Sequence, residues 1–365
     1  MYPALAVVNS LQAASPPPDI LWVGAVGGME ADLVQRANLP FTAIHGSAVV
    51  GVGPLKAALG LARLAVGTLQ AWRLISHFRP QVIFATGGYT AVAVTLVGWL
   101  RRIPIAVYLP DIEPGRAIRL ISRFARLILV TAEASRQYFP GQAVEVTGYP
   151  VRPELLTATR ADARRHFNLD PARRTVLLTG GSRGARSLNT ALIHILPDLL
   201  TDLQVIHIAG TLDWPTVEAA RAALPASLQR HYHAFPYLHD DMGLAYAAAD
   251  LVIARSGASS LGELPIFGAA AILVPYPYAW RYQKVNADVL ANQGAAVRLD
   301  DSNLTTDLLP TVRSILNDPA RLAAMSRAAR AQARPDAALA IGRALQRLAA
   351  GHTPTGQPAP TAPQS

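Results

Sequence analysis

TVLLTGGSRGARSLNTAL (175–192) reads as a buried strand, a glycine loop and a helix, in that order. Gly180, Gly181 and Gly184 let the backbone turn tightly and approach a ligand closely. The helix that follows offers unpaired N–H groups and the positive end of its dipole, which makes the loop a phosphate cradle in physical terms. A plain strand-to-helix turn is the alternative. The loop carries neither GK[ST] nor a GxGxxG spacing, so it is no P-loop and no dinucleotide fingerprint.

Working outward, short apolar runs rich in β-formers recur between helical stretches: ILWVG (20–24), VIFAT (82–86), IPIAVYL (103–109), LQVIHIAG (203–210), LVIARSG (251–257) and AAILVPY (270–276). Apolar strands alternating with helices predict parallel sheets covered on both faces. The runs form two series, separated near GYPVRPELL (148–156) where Pro150 and Pro153 punctuate the chain. The expected architecture is α/β, with two Rossmann-like parallel-sheet domains. They span 1–147 and 148–334, with a helix over 335–350 packing back on the first. The Pro/Thr/Gln-rich segment 351–365 is expected to be a disordered tail.

At 365 residues, 51% hydrophobic and 16% charged, the chain is too long for one ordinary core and too apolar for disorder. Zero cysteines exclude a disulfide scaffold, a thiolate metal site and a cysteine nucleophile. The nine histidines are scattered, and a zinc site is not expected. The net charge of +9 rests on 31 Arg and only two Lys, Lys56 and Lys284. Between Leu33 and Pro110 there are seven Arg or Lys and no carboxylate, which points to an anionic surface or ligand. Val82 to Leu100 runs 19 residues without charge, but Gly87-Gly88-Tyr89 breaks it, so a strand followed by a helix is expected there instead of a membrane span.

Three further loops carry polar chemistry. GGYTA (87–91) repeats the glycine design in the first domain. In ARSGASSLGEL (254–264), Ser260-x-x-Glu263 fits a helix capping box. The alternative is a site in which the Ser259 and Ser260 amides meet a phosphate and Glu263 two ribose hydroxyls; on the residues alone the cap is the preferred reading. PYPYAWRYQKVNA (275–287) sets Tyr282, Gln283 and Asn286 at a helix start, where amide side chains can orient sugar hydroxyls. Together with the 180–184 loop, the latter two predict a nucleotide-diphosphate ligand on the second domain.

YPALAV (2–7), MEADLV (29–34), GGY (87–89), GYPVR (148–152), GGSRGARSLN (180–189), HDDM (239–242), RSGASSLGE (255–263) and YQKVNA (282–287) keep one order and spacing along the chain. This set resembles the MurG family of N-acetylglucosaminyltransferases (glycosyltransferase family 28). The resemblance implies the GT-B fold, two Rossmann-like domains facing a cleft. It implies transfer of GlcNAc from UDP-GlcNAc to the C4 hydroxyl of lipid I, without a metal or other cofactor. Implied partners are UDP-GlcNAc, lipid I and an anionic cytoplasmic membrane surface, with no nucleic acid. Position by position, Gly181, Ser182, Arg183 and Gly184 would hold the diphosphate together with Ala258, Ser259 and Ser260. Arg152, Leu238 and His239 would meet uracil, Glu263 the ribose, and Gln283 with Asn286 the sugar. Gly87, Gly88 and Tyr89 would face the acceptor. The apolar, basic stretch 51–79 would dock on the membrane, a buried helix pair being the alternative.

Two departures from the family pattern matter. Family members place a strand and a GGTGGH-type loop before the Tyr-Pro segment, so the first sheet is expected to lack an edge or central strand. In-frame codons for both are expected upstream of Met1. The family's HEQN segment reads Tyr108-Leu109-Pro110-Asp111 here. Asp111 is the candidate general base in this chain, with Glu113 close by. Two rival functions follow from these departures: another GT-B transferase, or a non-catalytic binder of UDP-sugars at a membrane.

Overall fold

A computed structural model describes residues 1–28, 30–46, 54–181, 184–279 and 281–352, without the side chains of 54–59 and 61. The chain divides into two compact units, Met1–Pro150 with Asp336–Ser365, and Val151–Pro335. The tail expectation falls almost wholly on residues 353–365, outside the described residues.

In the first unit the strands are β1 (Trp22–Ala25), β2 (Phe41–Ile44), β3 (Ile83–Ala85), β4 (Ile105–Leu109), β5 (Leu127–Val130) and β6 (Val144–Val146). All pairings are parallel, but they form two sheets, β1-β2 and β3-β4-β5-β6. Every residue of β4 and β5 is buried, as a sheet covered on both faces requires. A cavity of about 470 Å³ separates the sheets, lined by Trp22 and Val23 of β1, Ile83 and Phe84 of β3, and Val7 and Ile75 of the helices above and below. Met1 lines it too, and burial pulls its amino group below the usual pKa, opposed by Glu30.

The Tyr2–Gln12 helix and the amphipathic Ala337–Ala349 helix pack together, with Ser10 Oγ donating to the Ala338 carbonyl at 3.1 Å. Arg347 Nη2 reaches Glu145 Oε2 at 2.7 Å. Of the stretch 51–79, residues 51–53 lie outside the described residues, and the rest does not form a helix pair. Pro54–Phe78 is a single helix of 25 residues, in which Ala71 and Ile75 are buried while Val66, Leu69 and Trp72 are exposed. Beside it the Tyr89–Leu100 helix exposes Trp99 and Leu100. Val82–Leu100 is strand, glycine turn and helix, and among the described residues no helix is long and apolar enough to cross a membrane.

The second unit holds one parallel sheet in the order β12-β11-β10-β7-β8-β9. Its members are β7 (Arg174–Thr179), β8 (Leu203–Ile208), β9 (Tyr232–Phe235), β10 (Leu251–Ala254), β11 (Ala270–Leu273) and β12 (Ala296–Arg298). β8, β10 and β11 are buried at every position, and β7 at all but its first. The chain runs outward from β7 through β8 to β9, then returns to the other side of β7 at β10. That reversal opens a crevice at the carboxyl ends of β7 and β10, the usual ligand position in such sheets. In the first unit the matching place, between β1 and β3, is the cavity.

Candidate functional site

Thr179 stands opposite Ala254 in register, so the loops after β7 and β10 start side by side. In the first loop Gly181 and Gly184 take φ of +78° and +75°, a region that side chains disfavour. The Gly184 amide donates to the Gly181 carbonyl at 3.0 Å. A Cβ on Gly184 would collide with the Ala209 carbonyl oxygen, and one on Gly180 with the Ala185 nitrogen. At Gly180 and Gly184 the backbone is thus packed tightly enough that no side chain fits. Ser182 and Arg183 lie outside the described residues. The Arg186–Leu199 helix follows, and the first-turn amides of any helix lack partners within the helix. Arg186 Nε donates to Asp213 Oδ1 at 3.0 Å, and its side chain is mostly exposed.

The second loop, 255–259, leads into the Ser260–Phe267 helix. The capping box does not form: the N-cap is Ser259, without a side-chain bond. Ser260 Oγ donates to the Arg255 carbonyl at 3.0 Å, while Glu263 Oε2 accepts from Tyr246 Oη at 2.9 Å. The Ser260 amide is already bonded to the Gly257 carbonyl at 3.0 Å, so of the two amides read from the sequence Ser259's is the better placed for an anion. Burial raises the Glu263 pKa above its ordinary 4.5, and the Tyr246 hydroxyl and the Arg152 charge pull it back. Arg152 therefore sits in the electrostatic range of Glu263.

Gln283 opens the Tyr282–Asn292 helix and accepts from the Tyr276 amide through Oε1 at 2.8 Å, which fixes its side-chain amide at the head of the loop. Lys284, next to it, is exposed. Asn286 is fully buried, and its Nδ2 donates to the Ser256 carbonyl at 3.1 Å, tying this helix to the 255–259 loop. Leu238 is buried and His239 exposed, its ring edge-on to Tyr237 at 4.6 Å. Asp241 takes an N-cap position without a side-chain bond.

Sequence reasoning gave no role to Arg255, which fastens three loops. Its Nη1 reaches Asp301 Oδ1 at 2.5 Å and the carbonyls of Val274 and Pro275 at 3.2 and 3.3 Å. Its Nη2 reaches Ser187 Oγ at 2.6 Å, and the guanidinium lies 5.4 Å from the Tyr276 ring centre. Tyr246, the partner of Glu263, was also overlooked. Arg255 stands within a quoted motif stretch and Tyr246 outside all of them, and the partners of both lie far off in sequence.

In the first unit, Gly87 and Gly88 take φ of +105° and +88° after β3 and start the helix at the exposed Tyr89. Asp111 follows β4 and is half-buried. Tyr108 is fully buried and bonded through its hydroxyl to Thr131 Oγ1 at 2.9 Å; burial drives its pKa up, and Asp111 adds to that rise. Glu113 is buried and accepts from Arg119 Nη2 at 2.9 Å, so its charge is neutralised locally.

Residues 1–130 match the glycosyltransferase family 28 N-terminal domain, and residues 175–341 the C-terminal domain. A UDP-N-acetylglucosamine--N-acetylmuramyl-(pentapeptide) pyrophosphoryl-undecaprenol N-acetylglucosamine transferase of Roseiflexus sp. (strain RS-1) is 42% identical, over 90% of this chain and 83% of the relative. The protein of the same name from Desulforudis audaxviator is 38% identical, over 96% and 95%. Among solved structures, Acinetobacter baumannii MurG matches with a TM-score of 0.75 at 27% identity, covering 95% of each chain. A Neisseria meningitidis UDP-GlcNAc 2-epimerase bound to UDP-GlcNAc shares the fold, with a TM-score of 0.66 at 11% identity over 94% of this chain and 95% of its own. With both domains matched in order on a two-unit parallel α/β frame, the chain belongs to glycosyltransferase family 28 and has the GT-B fold.

Proposed function

We propose that this chain transfers GlcNAc from UDP-GlcNAc to the muramoyl C4 hydroxyl of lipid I, forming lipid II in peptidoglycan synthesis. The observation that carries it is the crevice between β7 and β10. There the loops after the two strands start side by side and each leads into a helix, the second carrying Glu263, whose Oε2 accepts from Tyr246 Oη. Main-chain amides of the 180–184 loop, with Ser182 and Arg183, hold the diphosphate together with the 258–260 loop. Glu263 accepts the ribose hydroxyls, Arg152, Leu238 and His239 flank the base, and Gln283 holds the sugar.

The acceptor oxygen attacks the anomeric carbon from the face opposite UDP, so configuration inverts. The bond from that carbon to the phosphate oxygen breaks, and its electron pair leaves with UDP. The helix start at Arg186 meets the growing negative charge with amides already in place, so little reorganisation is needed as the bond breaks. The hydroxyl proton goes to a base, for which Asp111 is the candidate on this chain; Gly87, Gly88 and Tyr89 border the acceptor on the same unit.

Burial of Glu263 gives a test by pH. The ionised carboxylate accepts ribose hydroxyls, and its pKa lies above 4.5, so UDP affinity falls as pH is lowered through a window above that value. Glu263→Gln is expected to weaken UDP binding on the order of tenfold to a hundredfold and to remove this part of the pH profile. Calorimetry on both forms subtracts the titration of UDP itself. A Gln variant with wild-type affinity and profile would remove Glu263 from the site.

The membrane-facing surface is assigned to the Pro54–Phe78 and Tyr89–Leu100 helices. Exposed Leu69, Trp72, Trp99 and Leu100 stand there beside exposed Arg73, Arg101 and Arg102. Arg101 lies 5.1 Å from the Trp72 ring centre. Apolar insertion backed by cations suits an anionic bilayer. The double change Leu69→Ser, Trp72→Ser should cut sedimentation with phosphatidylglycerol vesicles roughly tenfold, without changing UDP affinity. Undiminished sedimentation would place the docking surface elsewhere. The function itself is tested by transfer of labelled GlcNAc from UDP-GlcNAc to lipid I. UDP binding without transfer would leave the chain a non-catalytic binder.

A further inference from the structure

The Arg186–Leu199 helix is joined to the sheet by a buried polar chain that the transfer chemistry does not touch. His207 of β8 is fully buried, with Nδ1 2.6 Å from Tyr232 Oη and Nε2 2.9 Å from Asn189 Oδ1. Asn189 Nδ2 donates to the Ala209 carbonyl at 2.8 Å and to Asp213 Oδ2 at 3.0 Å. Asp213 in turn accepts from Arg186 Nε at 3.0 Å. A carbonyl only accepts, so Ala209 fixes which way the Asn189 amide points. Asn189 Oδ1 then needs a proton on His207 Nε2, and Nδ1 takes the Tyr232 hydroxyl proton in a hydrogen bond. Those partners assign the neutral Nε2–H tautomer. Burial agrees with the assignment, taking the His207 pKa down to about 3 against the opposing charge of Asp213.

An apolar side chain at position 207 would fill the same space without needing partners. A satisfied polar chain instead fixes one register between packed elements. Here the register matters at a particular place. The Ala209 carbonyl held by Asn189 is the one against which Gly184 is pressed. Asn189 lies one turn into the helix, and Arg186 is its first residue. We propose that Tyr232, His207, Asn189, Asp213 and Arg186 form a positioning chain. It sets the first turn of this helix, and Gly184 before it, at the height where their amides meet the diphosphate. The inference rests on the donor site proposed above.

The test compares His207→Leu and His207→Gln with wild type, by calorimetry with UDP, by KM and kcat for UDP-GlcNAc, and by thermal unfolding. Gln is the conservative variant, because its amide can donate to Asn189 and accept from Tyr232. His207→Leu should fold, bind UDP roughly tenfold more weakly and raise KM for UDP-GlcNAc, since a displacement of about 1 Å at such a site is enough for that. His207→Gln should stay within about threefold of wild type. Asp213→Asn, which keeps the shape and removes the charge facing Arg186, should weaken UDP several-fold and decides the matter if His207→Leu does not fold. A folded His207→Leu with wild-type UDP affinity overturns the proposal. So does a His207→Gln as weak as the Leu variant, or, where Leu fails to fold, an Asp213→Asn with unchanged affinity. Failure of wild type to bind UDP would instead sink the donor site itself.

Discussion

Gly184→Val is expected to remove measurable UDP binding and to lower the unfolding temperature of the Val151–Pro335 unit by about 10 °C, whereas Gly181→Ala should lower it by only a few degrees. The two glycines share nearly the same φ, +75° and +78°, so the backbone strain of a side chain is similar at both, roughly 1–3 kcal/mol. They differ in what surrounds them. A Cβ at Gly181 meets nothing within 4 Å, but one at Gly184 runs into the Ala209 carbonyl, which is backbone of β8's end and cannot step aside. Valine there must push the loop off the sheet, taking the helix start with it. Thermal unfolding and UDP calorimetry on the two variants check this. Equal losses at both sites would mean that conformation alone, and not the seating of the loop on Ala209, governs the site.

Supplying a strand between β1 and β3 should have the opposite effect. A segment of about five β-branched residues and a glycine turn, joined ahead of Tyr2, would run parallel to both neighbours and pair on both edges. That adds on the order of ten backbone hydrogen bonds at ~1 kcal/mol each. Apolar burial in the cavity offsets the ordering of the added residues. It would also replace the partly desolvated Met1 ammonium by a peptide group. The unfolding temperature of this unit should rise by about 10 °C, and protease cleavage should slow. The same segment with proline at alternate positions, unable to donate to either edge, should give no gain. If both segments behave alike, the cavity does not accept a strand. Transfer to lipid I by the extended chain, compared with the chain as it stands, then tells whether the acceptor side depends on that strand.

The fold was legible because its strands are buried on both faces. Runs such as Thr175–Thr179 and Leu251–Ala254 are apolar without alternation, and the glycines that end them are readable by the same logic. Local spacing served less well where one pattern has two uses. Ser260-x-x-Glu263 can be read as a cap or as a binding pair, and the residue that separates the two, Tyr246, sits on another helix. Asn286 looks solvated at a helix start, yet its partner is Ser256, 30 positions earlier. His207 counts in sequence as one scattered histidine, because its partners, 18 and 25 residues away, meet it only once the sheet is assembled. The stretch 51–79 was read correctly as apolar and basic, but helical periodicity alone did not tell one long helix from two.

Arg255 has a consequence for selectivity. One guanidinium spans Ser187, Asp301 and the main chain at Val274 and Pro275, and Tyr276 beside it grips Gln283. The parts that would hold the pyrophosphate and the parts that would inspect the hexose therefore share this fastener. Loosening it would blunt the choice among nucleotide sugars, epimers included, as well as weaken the grip on all of them.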